Sequence, residues 1–277
     1  MDNRINKVVS IYKQLYNTDN KKFKFLPNWL ETTSYWFNME HNNNINKKYK
    51  KFSRGSIIYL DFGINIGHEF SGRHFGIVLN KNDSPYNSLV TVVPLSSKNK
   101  KHYLPLQNIV FKTSLSILNK TVDNIEFDLD VINHVIFTVI EIINKNNLQN
   151  TLEQNTIDYL DDFAIKTRFP TEREVINKSK NIVESFNLYN DPKNFSALFN
   201  YLLIDVNDRK SKVNNLREVI NKYKKFDKNT FACTQNVVTI SKLRILKINA
   251  EDPSGRMKLD FDSMKLVDNE IKNKLIN

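Results

Sequence analysis

The chain has 277 residues, 40% hydrophobic and 26% charged, which allows one large domain or two modest ones with a buried core. Its single cysteine, Cys233, excludes a disulfide within the chain and a cysteine-based zinc site, and no run approaches the roughly 18–20 apolar residues of a membrane span. The net charge of +11, from 41 basic and 30 acidic residues, attracts polyanions and favours nucleic acid as a partner, although a lysine- and asparagine-rich composition gives the same surplus on a solvated surface.

The N-terminal MDNRINKVVSIYKQLY lacks the long apolar run and small-residue end of a signal peptide, so a reducing, cytoplasmic setting is the expectation. From Asn3 to Tyr16, residues Ile5, Val8, Val9, Tyr12 and Leu15 recur at helical spacing, with Ile11 slightly off the stripe, which predicts an amphipathic helix that docks on another surface. An aromatic cluster follows, including Phe23, Phe25, Trp29, Tyr35, Trp36 and Phe37. Interleaved with lysines, such residues either stack on bases or anchor an N-terminal arm to the core, and anchoring is the commoner use. Residues 1–50 are read as that arm, ending in a polar, basic linker from His41 to Lys51.

The texture then changes. SIIYLDF, ending at Phe62, reads as a strand from its β-branched and aromatic content. His74–Asn80 and Ser88–Leu95 read as two more, and the short connections predict an antiparallel meander. Gly63, Gly67 and Gly72, from a chain with only six glycines, crowd the first connection and mark a loop whose backbone does what a side chain would forbid. A further strand-like run covers Tyr103–Phe111.

From about residue 112 to residue 225 the pattern is mainly helical. Ile132, Val135, Ile136, Val139, Ile140 and Ile143 repeat at three and four, although their β-branched content leaves a strand open. Thr151–Phe169 reads as a helix ending before Pro170, and PTEREVINKSKNIVESF begins with proline and acidic residues, good helix-start chemistry. Asp191-Pro192 opens another helix carrying Phe195, Leu198, Phe199, Leu202 and Leu203, and Leu216–Tyr223 continues in the same style. Strand texture returns in TFACTQNVVTISKLRIL, and Asp260–Leu275 is a final amphipathic helix. Three or four short strands alone make a poor core. The expected architecture is therefore α+β, with a sheet domain formed by residues 51–111 plus 226–277 and interrupted by a helical subdomain at 112–225.

The common enzyme signatures are missing: no P-loop, no dinucleotide-binding glycine pattern, no HExxH and no clustered carboxylates, so neither metal nor cofactor is expected. Cys233 lies in an apolar strand and reads as a small core residue. His41 and His102 sit in basic turns and His134 in a helical stretch; only His68 and His74 flank the glycine-bearing loop.

Around that loop, RGSIIYLDFGINIGHEFSGRHFGIVLN resembles the opening of the PemK/MazF toxins, in which an Arg-Gly pair, a G-x-E loop and a strand bearing a catalytic arginine follow in order. Arg54-Gly55 match the start and Gly67 and Glu69 the loop. VTVVPLSSK is similar to the next strand, whose end carries a catalytic threonine, and TISKLRI, Thr239–Ile245, to a run near the family's end. The resemblance implies a small, strongly curved antiparallel sheet or barrel of the CcdB-like, SH3-like type. It implies a metal-independent endoribonuclease toxin of a toxin–antitoxin system, one that inhibits growth and serves in phage defence. Cleavage of single-stranded RNA would use the substrate's 2′-hydroxyl and leave a cyclic phosphate and a 5′-hydroxyl. An antitoxin and a homodimer whose groove the antitoxin fills are the implied partners.

Aligned without a gap from Gly67, the family's arginine falls on His74, and Arg73 stands just before it. Neighbours on a regular strand point to opposite faces, so either one serves and the other lies on the surface, or the roles divide. The division carried forward has His74 as acid/base and Arg73, at a still-irregular strand entrance, as phosphate contact. Ser96 matches the threonine and keeps its hydroxyl, as a donor to the phosphate or as a turn cap. Glu69 would meet a base edge or pair with Arg54 or Arg73, while Gln235 and Asn236 fall near the family's base-contacting glutamine. His68 is a loop histidine that would read RNA or remain solvated. The rival class is a non-catalytic module of the same fold, binding a topoisomerase or regulating RNA.

Overall fold

The computed structural model describes residues 3–45, 47–146, 172–187 and 194–276. The chain divides into two units, Met1–Ile117 with Val219–Asn277, and Leu118–Glu218. In the first unit, α1 spans Asn3–Tyr16, the predicted range, yet buries none of its residues. Its Ile5, Val8, Val9 and Ile11 stay 43–54% exposed, and of the stripe only Tyr12 and Leu15, near its end, are half-buried. A 3₁₀ turn at Phe23–Phe25 leads into α2, Leu26–His41, with Pro27 in the first turn, where a missing N–H costs nothing.

The sheet begins with β1 (Ile57–Asp61), β2 (Arg73–Val78), β3 (Leu89–Ser96) and the two-residue β4 (Leu104–Pro105). It is completed by β5 (Phe231–Ala232), β6 (Val238–Ser241) and β7 (Ile245–Leu246). The path β4-β5-β3-β2-β1-β7 is antiparallel and open, and β6 adds to β3. β3 divides its outer edge. Leu89–Val92 pair with β6 and Leu95–Ser96 with β5, while a 3₁₀ turn at Thr234–Asn236 fills the change of partner. The segment read as one run of strand texture is therefore three short strands separated by 3₁₀ turns.

One face of the sheet carries Ile58, Leu60 and Phe62 with Val78, Val90, Val92 and Ile240, a buried cluster closed by Phe52. The neighbours of these residues are buried as well, Ile57 beside Ile58 and Val93 beside Val92, so the middle of the sheet is covered on both faces. Beneath it lies a buried ion pair. The Lys242 ammonium donates to both oxygens of Asp83 at 2.7 and 2.8 Å and to the Lys50 carbonyl at 3.2 Å. The two side chains are 2% and 1% exposed. Lys242 belongs to the TISKLRI run, so one element of that motif holds the fold rather than substrate.

The run Tyr103–Phe111 differs from expectation. Only Leu104–Pro105 pairs as strand, and α3 starts at Ile109 and continues to Lys145. The reason lies in the neighbours. Leu106 donates to the Thr230 carbonyl at 2.8 Å, and Gln107 takes a left-handed conformation, φ 53°, that turns the chain out of the sheet. Residues Ile132 to Ile143 are helix, so their branching yields to the three–four spacing that buries them.

The second unit packs those residues against α4 (Arg173–Ser185) and α5 (Phe195–Tyr223), through Val183, Phe195, Leu198 and Leu202. Arg209 joins Asp128 at 2.6 Å and Asp205 at 2.8 Å beside this core. The Leu216–Tyr223 stretch is the end of α5 itself. The helix expected at Thr151–Phe169 and the Asp191-Pro192 opening lie outside the described residues. The final helix α6, Phe261–Ile271, is capped by Asp260, whose carboxylate accepts from the Ser263 N–H at 2.7 Å. Among the described residues no helix is long and apolar enough to cross a membrane.

Trp29 of α2 meets the glycine loop. Gly63 has φ +79°, and a Cβ there would lie 2.5 Å from the Trp29 Nε1 and 2.6 Å from an Arg244 nitrogen. Gly63→Ala is expected to cost at least about 1–2 kcal/mol from its backbone conformation alone. It should also dislodge α2, which faster tryptic cleavage between Lys21 and Lys51 would report.

Candidate active site

Two adjacent residues open β2, and the register decides where each goes. Arg73 lies opposite Asp61, and His74 opposite Leu60. The strand is regular here, so Arg73 leaves on the Tyr59–Asp61 side and His74 on the side of Leu60 and Phe62. Asp61 ties the loop to the arginine: one oxygen accepts from the Gly63 N–H at 2.8 Å, and the other lies 3.4 Å from the Arg73 Nε. The Nη groups of Arg73 keep no partner among the described residues, and its side chain is 51% exposed. A guanidinium oriented from behind with its fork free suits an incoming anion.

The His74 ring meets Phe70 edge to face at 4.6 Å between centroids, and Phe70 in turn meets Phe62 at 5.2 Å. Burial pushes the imidazole below its ordinary value of 6.5, and Lys98 adds to this; the carbonyls of Leu95 and Ser71 oppose it but do not win. His74 is therefore neutral at pH 7, the form that accepts a proton.

β3 brings Ser96. Gly76 pairs with Pro94, and the same register continued along both strands sets His74 level with Ser96 at the strand end. Ser96 is 8% exposed, and its Oγ accepts from the Lys98 N–H at 3.0 Å, the turn-capping use foreseen for it. That bond leaves the hydroxyl proton available to a substrate. Arg73, His74 and Ser96 line one recess of about 260 Å³, with Tyr59, Lys225 and Lys228 on its walls. Sequence reading did not single out Asp61, Lys98, Lys225 or Lys228. Only the position of Lys98 at the end of VTVVPLSSK hinted at one of them.

The proposed base-reading residues gather separately. Glu69, Gln235 and Asn236 share a recess of about 350 Å³ with Asn65 and Arg244, and Phe70 forms part of its wall. The ring that touches His74 thus also borders this second recess. Burial lowers the Arg244 guanidinium, with Asp61 opposing. Glu69 engages neither arginine proposed for it, since Arg73 has Asp61 and Arg54 has Asp268. Arg54 also donates to the Leu79 carbonyl and lines a different cavity with Lys258 and Met264, so it clasps α6 instead of joining the site. His68 lies exposed on the loop and lines neither recess.

Cys233 is buried. Burial raises its thiol to about 11, and the neighbouring half-buried Tyr103 phenol, hydrogen-bonded to Cys233, rises to about 12. Such a thiol is inert. Among the described residues no three His, Cys, Asp or Glu side chains form a group able to hold a metal ion.

No curated protein matches the chain. Residues 53–152 match the family described as the PemK-like, MazF-like toxin of type II toxin-antitoxin system. The match takes in β1 to β4, the glycine loop and all of α3, with Arg73, His74 and Ser96 inside it. Over residues 53–152, then, this chain is similar to the PemK-like, MazF-like toxins of type II toxin-antitoxin systems.

Proposed function

We propose that the protein is a metal-independent endoribonuclease that cleaves single-stranded RNA, messenger RNA included, in the cytoplasm, and that an antitoxin restrains it. The observation supporting this most is the meeting of Arg73, His74 and Ser96 in one recess. In the reading we favour, neutral His74 takes the proton of the 2′-hydroxyl as that oxygen bonds to phosphorus. The phosphorus–5′-oxygen bond then breaks, and the imidazolium returns the proton to the departing 5′ oxygen. The free fork of Arg73 and the ammonium of Lys98 carry the charge of the phosphorane, and the Ser96 hydroxyl donates to a non-bridging oxygen. Glu69, Gln235 and Asn236 would hold a neighbouring base. The toxin-fold domain is taken as residues 51–111 plus 226–277, with 112–225 as a helical subdomain.

The test is incubation of the purified chain with RNA of mixed sequence in EDTA, alongside Arg73→Ala and Ser96→Ala. Cleavage without magnesium is expected, with Arg73→Ala slower by about 10²–10³-fold and Ser96→Ala by roughly tenfold or more. Intact RNA over a broad set of sequences would sink the nuclease reading and leave the non-catalytic module. A requirement for added magnesium would sink the mechanism.

A further inference from the structure

The N-terminal arm precedes the family match, which begins at residue 53. Its seat on the sheet is specific. Leu26 is 3% exposed, Trp29 closes on Gly63, and the Lys22 ammonium donates to the Gly67 carbonyl at 3.3 Å. These contacts hold the turn before α2 at the rim of the Arg73–His74 recess. A cavity of about 660 Å³ opens between them, with Lys21, Phe25 and Asn28 on the arm side and Arg73, His74 and Lys98 on the sheet side. That volume lies within the usual range for ligand sites.

The two neighbours Phe25 and Leu26 divide their work. Leu26 is the buried residue of α2, while Phe25, fixed beside it on the docked turn, is 66% exposed. Phe25 therefore leaves most of its ring open at the mouth of the cavity. The charge around it is cationic, from Lys21, Lys22, Arg73 and Lys98; the one carboxylate on this wall, Asp61, is already occupied by Arg73 and Gly63. An exposed ring beside a line of cations is the surface that single-stranded nucleic acid uses, with bases stacking and phosphates tracking the charges. A peptide would instead call for unpaired backbone at a strand edge or an apolar groove.

We infer that the turn Lys21–Phe25 is a nucleotide subsite, in which the base next to the scissile phosphate stacks on Phe25 and its outer phosphate meets Lys21. The identity of the strand rests on the nuclease reading above, and the subsite adds binding for a nucleotide beyond the reacting one. It predicts that longer RNA binds more tightly than a dinucleotide, with Phe25 carrying the difference.

The test uses the full chain and a fluorescein-labelled single-stranded 2′-O-methyl oligonucleotide, which offers no 2′-hydroxyl and stays uncut. Phe25→Ala should weaken binding about tenfold and Phe25→Tyr should restore it. Lys21→Ala should reduce the slope of log Kd against log salt by about 0.7. With cleavable RNA, KM should rise in Phe25→Ala while kcat holds. Unchanged tryptophan fluorescence would show that Trp29 is still seated. Wild-type affinity in Phe25→Ala overturns the subsite. So does a polyglutamate peptide that binds as tightly as the oligonucleotide and loses affinity in the same proportion, because the surface would then not read bases. Since the probe is not cut, weaker binding by Phe25→Ala in a protein that leaves all RNA intact would support the subsite and refute the nuclease.

Discussion

His74→Ala is expected to slow RNA cleavage by about 10²–10⁴-fold, the contribution of one well-placed acid–base group, with the fold retained. The ring is half-buried, in edge contact with Phe70 and hydrogen-bonded to backbone at Leu95 and Ser71, so its loss opens a small gap at the sheet's end and leaves the core intact. The pH dependence separates a base from a bystander. Burial disfavours the imidazolium, so the folded value lies below 6.5. The neutral form, and with it the cleavage rate, should rise as pH rises through that lowered value and level off above it. The same group affects stability: a folded value below the unfolded one means stability is lost as pH falls from 6.5 through the folded value. Lys98→Met removes a repelling cation and should move the midpoint upward. An imidazole titration followed by NMR measures both. A midpoint at or above 6.5 in the wild type would contradict the burial on which the role of His74 depends.

The largest expected effect on stability comes from Lys242→Met. Asp83 would be left charged, 1% exposed and without its main partner, a loss of about 3–5 kcal/mol. Urea unfolding midpoints would measure it. Burial pushes the Asp83 carboxyl up, but the Lys242 ammonium and the N–H groups of Phe52 and Ser84 outweigh burial and hold it below 3.8. Its folded value thus lies under its unfolded value, so this stabilisation is present above pH 3.8 and is lost as pH falls through the folded value. Replacing both members, Asp83→Asn with Lys242→Met, should cost less than the two single losses added, because neither charge is then stranded. Strict additivity would mean the pair does not act as a unit. Since Lys242 is one element of the TISKLRI run, this result would also show that part of a run resembling the toxin family's closing segment is there to join the Asp83 turn to the late strands.

Much of the sheet was legible. The β-branched and aromatic runs at Ile57–Asp61, Arg73–Val78 and Leu89–Ser96 read as strands from their composition, and the clustered glycines marked the loop between the first two. The helix Asn3–Tyr16 was legible in extent but not in burial, because periodicity tells which residues share a face and not whether anything covers it. Tyr103–Phe111 misled because a short apolar run suits a strand and a helix start equally. The turn at Gln107, fixed by bonds to Thr230, settled it.

From its order of residues alone, the chain determined that Arg73 and His74 are neighbours at the start of a strand, that a glycine-bearing loop stands before them and that Ser96 ends a strand. Tertiary structure decided that the strand is regular there, and what its two sides are. Alternation is a relative rule, and only the partner strand shows that Arg73 faces Asp61 while His74 faces Leu60 and Phe70. It also brought Lys225 and Lys228 to the recess and set Lys98, Lys21 and Phe25 around the cavity beside it. Such meetings depend on contacts between residues far apart in the chain, and no local pattern of spacing or propensity encodes them.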